Sequence, residues 1–284
     1  MIMVPFLRIM AQEDLMDLVE KETDPASQYT EQTFKGTRLI NGHSIETRDR
    51  GVLDVIISHR FGRLNSGGYH LFGLDETNVR LGVDYGITDR FNVGVGRNSF
   101  EKTYDGFLKY KIVRQRDGSA GNVPLSVALF SSAALKTLRT GEPGGEPPVN
   151  SRLAYSYQLI IARKFSPAFS FQVAPTLVHR NAVADAQEPN DIVALGAGGR
   201  LKLTKRLSLN AEYFHRFNAS TDGNFQNALA IGFDIETGGH VFQLHLTNAR
   251  AMNEKGFITE TTGDFFDGDI HFGFNISRVF QLYE

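Results

Sequence analysis

The chain has 284 residues, with 30 Lys and Arg against 32 Asp and Glu, and it contains no cysteine. The missing cysteine removes disulfide frameworks, thiolate metal sites and cysteine nucleophiles together, and the near-neutral balance argues against nucleic acid held by a basic field. No apolar run is long enough for a transmembrane helix, but strands of a membrane barrel, which show only alternation, remain allowed.

Residues 1–11, MIMVPFLRIMA, form an apolar stretch ending in a small residue before Gln12. That pattern predicts the remnant of an export signal, with cleavage after Ala11. Residues 12–50 then read as a periplasmic lead-in. Leu15, Leu18 and Val19 lie at helical spacing and Pro25 ends the pattern, so one short helix is expected there. For residues 33–47, three placements stay open: a periplasmic segment, a partial plug, or an extra strand pair.

From Gly51 onward, apolar and polar residues alternate with period two, the signature of strands. In 77–87, Val79, Leu81, Val83, Tyr85 and Ile87 share one face, opposite Asn78, Arg80, Gly82, Asp84 and Gly86. Twelve such runs occur, near 51–61, 77–87, 90–99, 103–114, 123–135, 151–164, 167–179, 191–203, 206–217, 226–236, 240–248 and 268–282. An even number suits a closed bacterial barrel. A strand of about 11 residues rises about 36 Å, and a tilt near 45° leaves about 25 Å, the height of an outer-membrane apolar band.

The connections alternate as well. Tight gaps fall near 88–89, 166–167, 204–205 and 237–239, with 115–122 longer. The intervening gaps are long at 62–76, 136–150, 180–190, 218–225 and 249–267, and short only near 100–102. Short periplasmic turns facing longer extracellular loops is the arrangement of membrane barrels. Alternation alone does not say which face meets water, because a soluble sandwich turns its apolar face inward and a membrane barrel outward. Long strands, large aromatics on the apolar face and alternating gap lengths favour the membrane. Trp is absent, leaving 22 Phe and 9 Tyr to supply any interfacial girdle.

The segments TFKGTRLINGHSIET, GVLDVIISHRFG, LGVDYGITDRFNVGVGRNSFEKTYDGFLKYKIVRQ and HFGFNISRVFQLYE resemble an uncharacterised family of exported bacterial β-barrel proteins of unknown function. The resemblance runs from about residue 30 to the end. It implies an outer-membrane barrel behind a signal peptide and supplies no activity and no site residues. The last strand is similar to a barrel-insertion signal, with Tyr283 as its aromatic residue and Glu284 departing from the usual aromatic terminus.

The polar face gathers Asp54, Arg60, Arg80, Asp84, Lys109, Lys111, Arg152, Lys164, Arg200, Lys202, Glu212, Asp234, Glu236, His245 and His271. These are the expected lumen-lining residues, forming either a charged pore or a mutually paired network that fills the interior. A hydrolase would need Ser beside His. Ser58 and His59 are adjacent and so point to opposite faces, whereas His245 and His271 share one face near Asn275 and Ser277. His240 and His245 have no zinc spacing, and Asp264, Asp267 and Asp269 form a weak loop candidate for calcium. Gly196 to Gly199 lacks the Lys-Ser/Thr of a phosphate loop.

The sequence therefore predicts an all-β fold, a closed antiparallel transmembrane β-barrel of about 12 strands over 51–284 with a short N-terminal helix, in the outer membrane of a Gram-negative bacterium. The expected partners are the lipid bilayer, the barrel-insertion machinery and small hydrophilic solutes, with no nucleic acid, no cofactor and no enzymatic chemistry. The expected function is passive passage of small hydrophilic solutes or ions through a charged lumen; the alternatives are a non-conducting structural or adaptor barrel that binds a partner by its loops or N-terminal segment, and an outer-membrane hydrolase.

Overall fold

The computed structural model describes residues 28–117, 121–139, 141, 145–183, 188–218, 225–237 and 240–283. The expected signal remnant and nearly all of the expected N-terminal helix lie outside them. Twelve antiparallel strands close into one barrel: β1 (Val52–Arg63), β2 (Thr77–Thr88), β3 (Phe91–Asn98), β4 (Tyr104–Val113), β5 (Ser126–Leu135), β6 (Leu153–Lys164), β7 (Phe169–Arg180), β8 (Asp191–Lys202), β9 (Leu207–Arg216), β10 (Ala228–Thr237), β11 (His240–Thr247) and β12 (His271–Gln281). Each strand pairs with its neighbour in sequence, and β12 closes on β1 from Gln281 opposite Val52 to His271 opposite Arg63. Closure leaves no free sheet edge, which a lipid environment requires.

The side-chain period of two now acquires a direction. Leu81, Val95, Leu108, Leu129, Tyr157, Ile231 and Leu244 stand exposed on the outer wall, while Asp54, Arg60, Asp84, Lys109, Glu212 and Asp234 are buried within. A water-soluble barrel would have the reverse polarity, so the outer wall is the lipid face.

Two segments enter the barrel from opposite ends. Residues 33–45 lead in from the end bearing the short turns, and almost every one of them is buried. They form a tight hairpin in which Leu39 N–H donates to the Gly42 carbonyl (2.8 Å) and Ser44 N–H to the Thr37 carbonyl (3.0 Å). Residues 28–32 and 46–50 tether this hairpin at the mouth, where Gln28–Tyr29 pairs with Arg116–Asp117 of the β4–β5 connection. Residues 33–47 are thus a plug, the second of the three placements left open by the sequence. From the other end, the β11–β12 loop folds inward as a short helix, α1 (Glu254–Thr259), whose Asn253 side chain caps it by accepting from Gly256 N–H at 2.9 Å.

Candidate functional site: the filled lumen

The lumen contains two apolar clusters. Phe34, Leu39 and Ile45 of the plug pack with Phe107, Ala128, Phe130, Ile160, Ala162 and Ala174 of the wall. Ala249, Phe257 and Ile258 of the β11–β12 loop pack with Val178, Ile192, Ala194, Phe214 and Ala228. Phe107 and Phe214 share strand parity with charged residues and Phe130 lies opposite Lys109, and all three point inward, where they meet other side chains and not water.

The wall receives the plug mostly through its backbone. Glu212 of β9 takes the hairpin tip, its carboxylate accepting from Asn41 N–H (2.7 Å) and from Ile40 and Gly42 N–H (both 3.2 Å). A Cβ at Gly42 would lie 2.8 Å from Phe214 Cζ, and one at Gly198 would lie 2.2 Å from Leu39 Cδ2, so the seat requires glycine at both positions. Gln172 clasps the returning arm, donating to the His43 carbonyl (2.9 Å) and accepting from Ile45 N–H (3.2 Å). Gln243 donates to the Leu39 carbonyl (2.8 Å), Asn275 to the Ile40 carbonyl (3.1 Å), and Lys109 to the carbonyls of Ser44 (3.2 Å) and Thr37 (3.5 Å).

The expected lumen residues fall into place around this plug. Asp84 accepts from Thr37 Oγ1 (2.7 Å) and from Arg38 (3.0 Å), Asp54 is held by Arg48 (2.6 Å), and Arg60 donates to Asn41 Oδ1 (2.8 Å). Arg80 pairs instead with Asp105 on the wall, and Asp234 accepts from Gln243 (2.9 Å). Arg200 donates to the carbonyls of Gln32 (3.2 Å) and Thr33 (3.4 Å), and Lys164 donates to that of Glu31 (2.8 Å). Lys111 faces Glu46 at 3.7 Å, Glu236 pairs with Lys35, and Lys202 and Arg152 are half-buried near opposite ends of the barrel. The wall charges are thus largely committed to the plug, and only some are committed to one another.

His245 and His271 lie on the inner face, buried. His245 sits opposite Gly273, and its ring nitrogens take no hydrogen bond among the described residues. His271 Nδ1 donates to the Phe61 carbonyl (2.8 Å). Neither contacts a serine hydroxyl, so the Ser–His pair a hydrolase needs is not assembled there. The three loop aspartates form no ligand set among the described residues. Asp269 accepts from Asn65 (2.8 Å) and pairs with Arg63 (3.1 Å), and Asp264 accepts from Phe266 N–H (2.8 Å) to close its own turn. Those carboxylates fasten the β11–β12 loop to the end of β1.

Plug and loop helix meet at one polar contact, His43 Nε2 to Glu254 Oε1 at 3.6 Å. Arg38 stands at 2.9 Å from His43 Nδ1 and can only donate, which leaves the imidazole neutral with its proton on Nε2, facing Glu254. Burial, aided by Arg38, holds His43 well below the usual histidine value, and burial pushes Glu254 up to about 7. On the far side of α1, Lys255 pairs with Glu260 (2.5 Å) and with Glu101 (3.5 Å), and Glu101 also pairs with Lys136. Burial tends to raise Glu101, but Lys255 and Lys136 outweigh it and hold the carboxyl low.

Among the described residues the plug leaves little space beside it. The void beside Thr37 and Arg38, bounded by Gln243, Asn275 and Ser277, is about 20 Å³, room for about one water. Below it opens a polar vestibule of about 430 Å³ bounded by Glu31, Lys35, Glu46, Arg48, Lys111 and Glu236. Sequence reasoning missed the residues that fill the lumen, Phe34, Leu39, Asn41, Gly42, His43 and Glu254. The available signal was the large apolar residues, Phe107, Phe130 and Phe214, standing on the polar face.

An outward apolar wall, a closed antiparallel sheet and alternating loop lengths define a membrane-spanning β-barrel, the form taken by outer-membrane proteins. The chain belongs to the family described as "Membrane bound beta barrel domain (DUF5777)", whose match covers residues 34–280 and so takes in the plug. No curated protein matches the chain. Among solved structures it is similar to the NanC porin (9% identity, 82% of this chain and 100% of that one, TM-score 0.48) and the KdgM porin (8%, 81% and 99%, TM-score 0.47). It is also similar to the outer membrane protein Omp33 of Acinetobacter baumannii (12% identity, 80% and 97%, TM-score 0.41). The protein is a membrane-bound β-barrel, the architecture of outer-membrane proteins.

Proposed function

We propose that the protein is a channel for small hydrophilic solutes held shut by its own N-terminal segment. The observation that carries this reading is the Glu212 carboxylate gripping the tip of a hairpin, many of whose other wall contacts are hydrogen bonds that water replaces on release. With the plug withdrawn, Asp54, Asp84, Lys109, Arg200 and Glu212 would line the passage and set its ion preference. Planar-bilayer recording of the refolded barrel tests this. The parent chain should be silent with rare brief openings, and Glu212→Gln should open more often. Steady parent conductance would overturn the plug. Silence of both proteins, with heat-modifiable folding intact, would overturn passage.

A second reading rests on the cluster around Phe257 and Ile258, which fills the other half of the lumen. If that cluster never opens, the barrel is a scaffold for a partner. Removing Phe257 and Ile258 in the Glu212→Gln background then decides between the two readings, because a channel gains conductance and a scaffold does not.

A further inference from the structure

The wall treats the plug as a peptide. Glu212 accepts from three consecutive backbone N–H groups. Gln172 makes a donor–acceptor pair with the main chain at His43 and Ile45, as a neighbouring strand would. Gln243, Asn275, Lys109 and Arg200 donate to backbone carbonyls from residue 32 to residue 44. Side-chain selection is confined to a few places. Leu39 fills the space over Gly198, Phe34 and Ile45 enter the apolar cluster, the tip admits no Cβ at Gly42, Thr37 and Arg38 reach Asp84, and the Asn41 side chain meets Arg60 and Thr247. Such contacts read backbone and hairpin shape with little regard for most of the sequence, as in strand-addition modes of peptide recognition.

We infer that the lumen is a binding site for hairpin peptides, occupied in this conformation by residues 33–47 as an internal ligand and able to take another peptide of the same shape in trans. The ligand class is a short hairpin with Asn-Gly at its tip, an aliphatic residue two positions and an Arg three positions before the Asn, and apolar residues seven positions before and four positions after that Asn. The inference rests on the plug of the proposed function, and it goes further in naming what can replace that plug.

The tether keeps any outside peptide at a disadvantage, since a linked segment competes at an effective concentration of about millimolar. The test therefore cuts it. A specific protease site is inserted between Asp49 and Arg50, both exposed at the mouth, in the full-length chain. The nicked protein is denatured and refolded with a tenfold excess of fluorescent peptide spanning residues 28–49. The expected result is label in the folded, heat-modifiable barrel in proportion to that excess. A peptide N-methylated at the Asn41 amide, which loses the 2.7 Å bond to Glu212, should be taken up about 10- to 100-fold less well. A hairpin peptide of otherwise unrelated sequence that keeps Phe34, Thr37, Arg38, Leu39, Asn41, Gly42 and Ile45 should be taken up within about tenfold of the parent peptide, the scale on which one neutral hydrogen bond acts.

A folded barrel that incorporates no labelled peptide, or that takes the N-methylated one equally well, overturns the inference. Uptake of the chain's own sequence alone overturns the ligand class. Conductance of the same refolded samples separates this result from the channel reading. Label without any current when the peptide is left out refutes the channel alone, and current without label refutes the peptide site alone.

Discussion

Replacing Glu212 with Gln changes one oxygen for an NH2 group and so tests the plug with almost no change of volume. The carboxylate accepts three hydrogen bonds from the hairpin tip through both oxygens. The amide retains one acceptor oxygen and turns an N–H2 toward backbone donors. At least one tip N–H then loses its partner and faces a like group. A hydrogen bond to a charged group contributes about 1.5–3 kcal/mol, and an orphaned buried donor costs about 1–3 kcal/mol. The seated plug should therefore lose about 2–4 kcal/mol, raising the withdrawn fraction by about 30- to 1,000-fold at 1.4 kcal/mol per decade. The absence of native cysteine makes this readable. Ser44 is fully buried, so a Ser44→Cys reporter reacts with a membrane-impermeant maleimide only when the plug leaves. The rate should rise by that factor in Glu212→Gln. An unchanged rate, with folding intact, would refute the claim that Glu212 holds the plug.

Gly42→Val should release the plug by a steric route, because its Cβ would stand 2.8 Å from the Phe214 ring, and overpacking of this kind costs about 1–3 kcal/mol; the same maleimide rate checks it. Phe257→Ala, in the upper cluster, should destabilise the barrel by about 3–5 kcal/mol, measured as a lower denaturant midpoint for loss of the heat-modifiable band. Ile231→Arg, on the outer wall, should cost up to about 2–4 kcal/mol near the bilayer midplane in vesicle refolding, and little if that wall faced water. The Glu254 carboxyl, raised to about 7, favours the packed α1 while protonated; its contribution is complete below the unfolded value near 4.5 and is lost as pH rises through 7, by up to about 3 kcal/mol. His43, held low, has the opposite sign, its neutral-form contribution being complete above 6.5, so from pH 6.5 to 8 only Glu254 acts. Exchange protection of the 254–259 amides, corrected for intrinsic rates, should fall over that range, and Glu254→Gln should abolish the fall.

The strands were legible because membrane and lumen impose opposite polarities on a strict period of two. All twelve runs correspond to strands, and Asp54, Asp84, Lys109 and Glu212 have the parity their inward positions require. The plug was not legible for an equally physical reason. TFKGTRLINGHSIET has neither period, since its partners come from wall positions as distant in sequence as Asn41 and Glu212, and many of its wall contacts fall on backbone groups that every residue carries. What the sequence did hold was a contradiction. Phe107 stands between Asp105 and Lys109 at matching parity, and Phe214 follows Glu212. Water-filled channels have no reason to place such rings inward, so an inward phenylalanine is the trace of a filled lumen. On the same face Gly198 is the socket for Leu39, a role its lack of a side chain does not announce.

The two kinds of contact give the plug unequal grip. Its hydrogen bonds to Gln172, Gln243, Asn275 and Lys109 exchange with water when it leaves, and each contributes only about 0.5–1.5 kcal/mol net. Phe34, Leu39 and Ile45 have no such substitute, and full burial of an apolar side chain of that size contributes about 1.5–3 kcal/mol. In the proposed channel the apolar anchors would therefore set how rarely the plug leaves, and the polar wall where it returns. A lumen lined by charge alone would fill with water, and one lined by apolar groups alone would bind any greasy segment. The mixture, with Glu212 at the far end and the apolar cluster nearer the mouth, holds one hairpin in one register and, on the channel reading, would still let it go.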